Sequence, residues 1–460
     1  MKADLCSQFN LIVMHAKCVR RGLRYIWVLL FAIPPFASNM SARSVIELKD
    51  GRRNIPGTEM EVLEDRAGTL TLSDVTGESF DKQFVLSSRE VPNFGFTTSV
   101  YWLRFRLRGV DSQPWLLQIK YAPLDDIIVY KRLGKGAWES STSGDMHPFS
   151  QREIKHRTFL FHLTIPDDEV MDVYIRCRTQ GSMIIPVEVM RPSMFHSVDH
   201  EEQIALGLYY GILLVLTINS LILFFIVRER AYLFYMLYIT GYGLFQLNLN
   251  GLSFEYLWPG LPAWNNHVLP VSIAWAFFWG ILFAMEIMDT RKNTPRLHTY
   301  LKILTIPYIG LILISLFPDL VSYYVRINIG AAEIIIFSLS VFPVGVRVWL
   351  KGYRPARYFV IAWAAFLLGM VFYALKAFGI IPSNAFTENG MQFGSAVEMS
   401  LLSLGLADRI NLINEQKEAA TRREQEALLS VARHQFELLK KTIQPHFLLN
   451  SLSATEAWLK

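Results

Sequence analysis

The stretch IALGLYYGILLVLTINSLILFFIV (residues 204–227) runs for 24 residues without a charged side chain. A helix needs about 20 apolar residues to cross the hydrocarbon core of a bilayer, so this segment alone reads as a membrane span. Six more apolar segments follow, at 231–250, 267–288, 300–317, 325–348, 358–378 and 386–406. Residues 200–407 are therefore expected to form a seven-helix transmembrane bundle. Composition agrees, since 52% of the 460 residues are hydrophobic and only 18% are charged. Disordered and collagen-like classes are excluded on the same arithmetic. Cys6 and Cys18 precede the first apolar run, so a processed chain keeps only Cys177; a disulfide scaffold and a cysteine metal site are excluded, and no metal is expected. The net charge of +5 is spread along the chain, without the basic face that a nucleic-acid partner requires.

The connections set the orientation. Loops after the first, third and fifth segments hold Arg228 and Arg230, then Arg291, Lys292, Arg296 and Lys302, then Arg347, Lys351, Arg354 and Arg357. The alternate loops hold none, apart from Arg326 and Lys376 at span edges. By the positive-inside rule the N-terminal region lies outside and the C-terminus in the cytoplasm. Residues 1–42 fit the same orientation as a secretory signal: Lys17, Arg20, Arg21 and Arg24, then a 13-residue apolar stretch at 25–37, then SNMSA. An uncleaved anchor is the competing reading of that stretch, and Met14 is an alternative start.

Residues 43–199 read as an all-β domain. In YWLRFRLRG (101–109), Tyr101, Leu103, Phe105 and Leu107 point one way and Trp102, Arg104, Arg106 and Arg108 the other, so one face is expected in the core and one wet. Further strand-like runs lie at 115–120, 126–132, 157–165, 170–178 and 183–189, with LGKG (133–136) and SSTSGD (140–145) read as turns. Repeated short strands without helical periodicity imply a sandwich or jelly roll. Trp102 beside Arg104, Arg106 and Arg108 is a candidate platform for an anionic or sugar ligand; the plainer reading is a solvated face. The domain carries no nucleophile elbow, phosphate loop or zinc-spaced histidine pair.

Within the spans, Glu333 and Glu398 are costly as isolated charges. Each is expected to face the bundle interior, paired or protonated; the plainer role is inter-helix hydrogen bonding, and the sharper one makes each a candidate polar switch or proton relay. Gly207 with Gly211, and Gly390 with Gly394, have the spacing of small-residue helix crossings. A retinal protein is set aside because the seventh segment has no lysine to form a Schiff base. Transport is disfavoured by the lack of an internal repeat or a broken-helix pair.

After Leu406 the pattern becomes a charged helix. Leu406, Ile410, Ile413, Ala420, Ala427 and Val431 follow three- and four-residue steps that Lys417 and Glu424 interrupt, and Leu429, Ala432, Phe436, Leu439 and Ile443 form a cleaner stripe. Residues 408–437 are expected to be a signalling coiled coil that makes the protein a homodimer; the competing reading is a solvated amphipathic helix lying on the membrane surface. The stretch LLKKTIQPHFLLNSL (438–452) follows. There Asn450 stands four residues beyond His446 and shares a helix face with it, while Pro445 either kinks the helix or opens a new one. If it opens one, His446 sits in a first turn, where the helix dipole favours the neutral imidazole.

This stretch resembles the phosphoacceptor box of sensor histidine kinases of the autolysis-sensor type, close to P-H-F-x-x-N-S-L, with matches at Pro445, His446, Phe447, Asn450, Ser451 and Leu452. The chain upstream is similar to the bacterial seven-transmembrane receptors with diverse intracellular signalling modules, through YWLRF (101–105), residues 207–224 and residues 392–410. That resemblance implies a signal peptide, an exported jelly roll similar to carbohydrate-binding domains, seven spans and a cytoplasmic output, in the inner membrane of a bacterium. It also implies that His446 is the phosphoacceptor, with Asn450 orienting it, and that a response regulator is the partner. ATP and Mg²⁺ require a nucleotide domain of about 100 residues or more. Only 14 residues follow His446, so 438–460 reads as the start of a phosphoacceptor region and no cofactor is expected in this chain. Two functions stand: a two-component receptor relaying a ligand signal, such as that of a carbohydrate, to His446, or a non-catalytic receptor that modulates or dimerises with a complete kinase.

Overall fold

The computed structural model describes residues 45–49, 51–109, 111–317, 319–377, 381 and 389–459. The expected signal sequence at 1–42 lies outside the described residues, as do the side chains at 442–446 and 448. The strands are β1 (Val45–Leu48), β2 (Arg52–Ile55), β3 (Glu61–Asp65), β4 (Val85–Leu86), β5 (Asn93–Phe96), β6 (Val100–Gly109), β7 (Pro114–Ile119), β8 (Asp126–Leu133), β9 (Glu139–Ser143), β10 (Phe159–Thr164), β11 (Val170–Arg178), β12 (Ser182–Ile184) and β13 (Val187–Met190). The long helices are α1 (Pro192–Val227), α2 (Arg230–Leu249), α3 (Pro262–Ile287), α4 (Pro295–Leu316), α5 (Tyr323–Leu350), α6 (Pro355–Ala377) and α7 (Gly390–Trp458).

The strands form a sandwich. One sheet has the order β4-β3-β6-β11-β8-β9, with β1 parallel to β6, and the other the order β10-β7-β13-β2. Alternation dictates the core: Leu103, Phe105 and Leu107 of β6 and Val173 and Ile175 of β11 point inward to meet Trp115, Leu117 and Ile119 of β7 and Phe159, Phe161 and Leu163 of β10. Cys177 is buried in this core, which pushes its thiol up and leaves it inert. The polar run expected as a turn at 140–145 proves different, because Ser140 to Ser143 belong to β9 and pair with β8. An edge strand with one wet face needs little apolar character, so its sequence resembles a loop.

The outer face of β6 also departs from expectation. Trp102 is fully buried in a second, smaller cluster with Leu63, Val75, Phe84, Val100 and Tyr174, and stacks on Tyr130 with ring centroids 5.8 Å apart. The residues between β3 and β4, which include two single-turn helices at Leu72–Val75 and Glu78–Asp81, supply much of this cover. Arg104 is buried with Trp102: its Nε donates to Glu61 at 2.6 Å, its Nη1 donates to Asp81 at 2.7 Å, and its guanidinium lies 3.8 Å from the centre of the Phe84 ring. Arg106 pairs with Asp172 and Arg108 with Glu47 at the margin. The face expected to be wet is dry at its centre, because the 71–84 segment packs over it.

Seven long helices follow. Five of them, α1, α3, α4, α5 and α6, contain described stretches long and apolar enough to cross a membrane. α2 is more polar, and its tyrosines 232, 235, 238 and 242 are buried against neighbouring helices. α1 begins at Pro192, three turns before the apolar segment expected to start at Ile204, so sandwich and membrane are joined by continuous helix. α6 and α7 approach backbone to backbone: a Cβ on Gly369 would lie 2.3 Å from the Gly390 carbonyl and 3.0 Å from Gly394 Cα. The 390/394 pair is thus a crossing within the chain, whereas no atom stands within 4 Å of where a side chain on Gly207 or Gly211 would begin.

Candidate functional site at the junction of sandwich and bundle

Three sets of contacts hold the sandwich on the helix ends. The first is the stalk. Phe195 of α1 inserts between Leu116, Leu160 and Met190 on the outer face of the second sheet. One turn on, Asp199 takes a hydrogen bond from His156 Nε2 at 2.9 Å, and Glu202 takes Arg157 and also Lys120, the latter at 2.5 Å. Asp199 and Glu202 lie three residues apart and so share one face of α1. His156, Arg157 and the stalk carboxylates are all largely shielded, which makes this cluster stronger than an exposed ion pair and more sensitive to losing one member.

The second set is a buried polar floor. Asp125 precedes β8 and Asp145 follows β9, the Met146 amide donates to the Asp125 carbonyl at 3.2 Å, and both aspartate side chains are buried. Asp125 also accepts the Gln180 amide at 2.8 Å and Asn266 Nδ2 at 3.2 Å, while Asn265 Nδ2 lies 3.4 Å from Asp145 Oδ2. Asn265 and Asn266 are in the first turns of α3, and Trp258 Nε1 fixes the Asn265 carbonyl oxygen at 2.9 Å. Burial raises both carboxyls above the usual aspartate range, Asp145 furthest, and the neighbouring Asp125 charge adds to it; Arg152 and Arg178 oppose the shift. The loop geometry demands glycine, because a Cβ at Gly144 (φ +147°) would sit 2.1 Å from the Asp125 carbonyl.

The third set joins the 250–262 loop to the sandwich. Gly251 has φ +76° and its Cα faces the Arg157 carbonyl so closely that a Cβ would approach to 2.4 Å. Phe149 donates its amide to the Pro259 carbonyl at 3.1 Å and meets the Phe254 ring edge-on. Arg152 lies over Phe149 and Phe159 and donates to the carbonyls of His156 and Arg157.

The intramembrane carboxylates are both buried. Glu398 on α7 accepts the Tyr238 hydroxyl of α2 at 2.9 and 3.1 Å, with Tyr235 donating to the Met399 carbonyl beside it. Neither carboxylate oxygen of Glu333 on α5 has a hydrogen-bond partner among the described residues, while the Tyr308 hydroxyl donates to its backbone carbonyl at 2.8 Å. At the far end of the bundle Arg409 of α7 reaches Glu286 of α3 at 3.3 Å, and Asp408 lies 3.8 Å from both Arg354 and Arg357. From Glu415 onward α7 is exposed wherever burial is described, including Val431, Phe436 and Leu439 of the expected stripe. The helix is continuous through residue 445, so Pro445 does not open a new helix and His446 is not in a first turn.

The expectation that Glu333 and Glu398 face the bundle interior agrees with their burial, whereas the sequence reading singled out none of Asp125, Asp145, Arg157, Glu202 and Asp408. Their one signal was position: each is a charge next to a strand end or an apolar segment edge. Trp102, Arg104, Arg106 and Arg108 are not brought to the junction.

A β-sandwich seated on the ends of apolar helices that are long enough to cross a membrane is the build of a membrane receptor. Residues 202–409 match the family model for 7TM diverse intracellular signalling, and residues 57–191 match that for 7TMR-DISM extracellular 2. These two matches support a transmembrane signalling receptor, multi-pass in the membrane and with an extracellular N-terminal domain. No curated protein matches the chain.

Proposed function

We propose that this receptor works in a two-component system, with the sandwich sensing a ligand outside and His446 carrying phosphate inside. The observation that supports the reading most is the unbroken α7, which begins against Gly369 in the bundle and continues through the 438–452 box. A rotation or shift of the bundle moves that helix as one body. Ligand binding strains the stalk cluster around Asp199 and Glu202, seven helices repack about Glu398, and the Asp408 and Arg409 clasp passes the change to α7. Ten basic residues on the loops at the clasp end favour a cytoplasmic C-terminus in a bacterial inner membrane. The exposed apolar stripe of α7 supports pairing with a second copy or with the same helix of a complete kinase. A carbohydrate is the ligand class that the resemblance favours.

In the proposed reaction an imidazole nitrogen of His446 attacks the γ-phosphorus of ATP held by a nucleotide domain. The P–O bond to ADP breaks, the ring loses its proton, and the phosphoramidate is passed on to an aspartate of a response regulator. The chain contributes an in-line nucleophile, and charge neutralisation belongs to the nucleotide domain and Mg²⁺. The test is phosphotransfer from γ-labelled ATP to the purified chain mixed with a complete kinase of the same type. Acid-labile, base-stable label is expected on the wild type, weakened in Asn450→Ala and absent from His446→Gln. Label on His446→Gln places the site elsewhere. No label with any kinase leaves the non-catalytic receptor.

A further inference from the structure

Between the sandwich and the outer ends of α2, α3 and α5 lies a cavity of about 150 Å³. The sandwich contributes Phe96, Tyr121 and Ser182 to its wall, and the bundle contributes Leu269 and Ile273 of α3 with Tyr323, Ile327 and Ala331 of α5. Among the described residues no charged side chain lines it. We propose that this cavity is a binding site for a small neutral amphiphile, an uncharged molecule of the size of a phenol or a short alcohol, and that its occupant holds sandwich and bundle together.

The chemistry of the wall selects that class. A carboxylate or ammonium would be desolvated without a counter-charge, and a sugar would lose water from hydroxyls that a carbon wall cannot satisfy. A dry apolar cavity of roughly 150 Å³ is known to accept a benzene-sized guest. Tyr323 and Ser182, two hydroxyl-bearing residues of the wall, offer such a guest a place for one polar group. Position gives the site its effect. Tyr323 to Ala331 is eight residues of helix, about 12 Å along α5, so the cavity runs from the junction down toward the turn that carries Glu333. A guest touching both bodies binds only when they are docked, so it favours the docked arrangement by its differential affinity. The proposal does not depend on the role of His446.

The probe is 4-fluorophenol, added to the full chain in lipid nanodiscs and followed by fluorine NMR against protein-free nanodiscs. Saturable binding is expected for the wild type and for Ile309→Trp, a lipid-facing control on α4, with a rise in melting temperature in both. Ala331→Trp fills the cavity and should weaken binding at least about tenfold while abolishing the melting shift. Ser182→Leu fills it from the sandwich side and decides the matter if Ala331→Trp does not fold. The proposal is overturned if the wild type shows no saturable component beyond the lipid, or if a folded, cavity-filled variant binds the probe as the wild type does.

Discussion

Asp125 and Asp145 are both buried at the floor of the sandwich, and each is approached by a side-chain amide from the first turns of α3, Asn266 at 3.2 Å from Asp125 and Asn265 at 3.4 Å from Asp145. Burial and the Asp125 charge beside Asp145 make it costly for both carboxyls to be ionised at once. In one domain such a pair would be a core detail; across a junction it ties the docking of the sandwich to proton concentration.

The sign of that dependence follows from burial. Both groups are raised above 3.8 when docked, so the docked state holds a proton that the separated groups would release. The stabilisation is complete below the ordinary carboxylate range and is lost as pH rises from there through the raised values. Burial lowers the facing Arg152 only to about 10, so it keeps its charge over the acidic and neutral range. The full chain should therefore melt at progressively lower temperature as pH rises from 4 through 7, and Asp145→Asn should flatten that slope. An equal slope in the variant removes the pair from the account.

Trp102 is structural in this conformation. Trp102→Ala should cost about 3–5 kcal/mol, the usual penalty for emptying a large buried aromatic site. Arg104→Ala should also destabilise strongly, because it leaves Glu61 and Asp81 facing each other without the guanidinium. Arg106→Ala, at a half-exposed margin, should cost no more than about 1 kcal/mol. Thermal melting of the purified chain reads all three. A Trp102→Ala protein that melts like the wild type would return this face to the list of ligand platforms.

The contrast between those arginines shows what a one-dimensional pattern can carry. Alternation in 101–109 correctly separated Leu103, Phe105 and Leu107 from their neighbours, because period two is a property of the strand itself. It could not reveal that residues 71–84 fold back over the other face, since that cover comes from polar, turn-rich sequence with few apolar anchors. The same limit hid the junction. Asp125 and Asp145 are ordinary loop acids until the sandwich docks on α3, and Arg157 is ordinary until the stalk of α1 brings Glu202 beside it. Apolar length alone located the helices, whereas the start of α1 at Pro192 escaped because SMFHSVDHEEQ has no hydrophobic run to mark it.

The stalk cluster should act as one unit. Arg157→Ala leaves Glu202 with Lys120 alone and removes the guanidinium from beside Asp199, so the first turns of α1 lose much of their anchorage. Amide exchange in residues 193–203 should quicken by about tenfold or more, while exchange in the core of β6 and β11 stays as in the wild type. Phe195→Ala should have a similar local effect through lost packing. Exchange that quickens equally throughout the sandwich would mean that Arg157 supports the domain rather than its coupling to α1.

Glu398 offers the sharpest separation of packing from switching. Its carboxylate meets the Tyr238 hydroxyl in a fully buried setting, and α7 carries it about three turns above the Asp408 and Arg409 clasp. Glu398→Gln keeps an acceptor for Tyr238 and removes the ionisable group, so folding and membrane insertion should survive with a melting temperature within a few degrees of wild type. If the group takes part in switching, the resting arrangement of α7 should change. Phosphate acceptance at His446 from a complete kinase, without ligand, should then differ from wild type by about threefold or more, and amide exchange at 399–409 should shift with it. Tyr238→Phe, which strips the hydrogen bond but leaves the carboxyl group, should move the same two readouts. If both variants keep the wild-type exchange pattern and the wild-type level of phosphate acceptance, Glu398 serves packing alone.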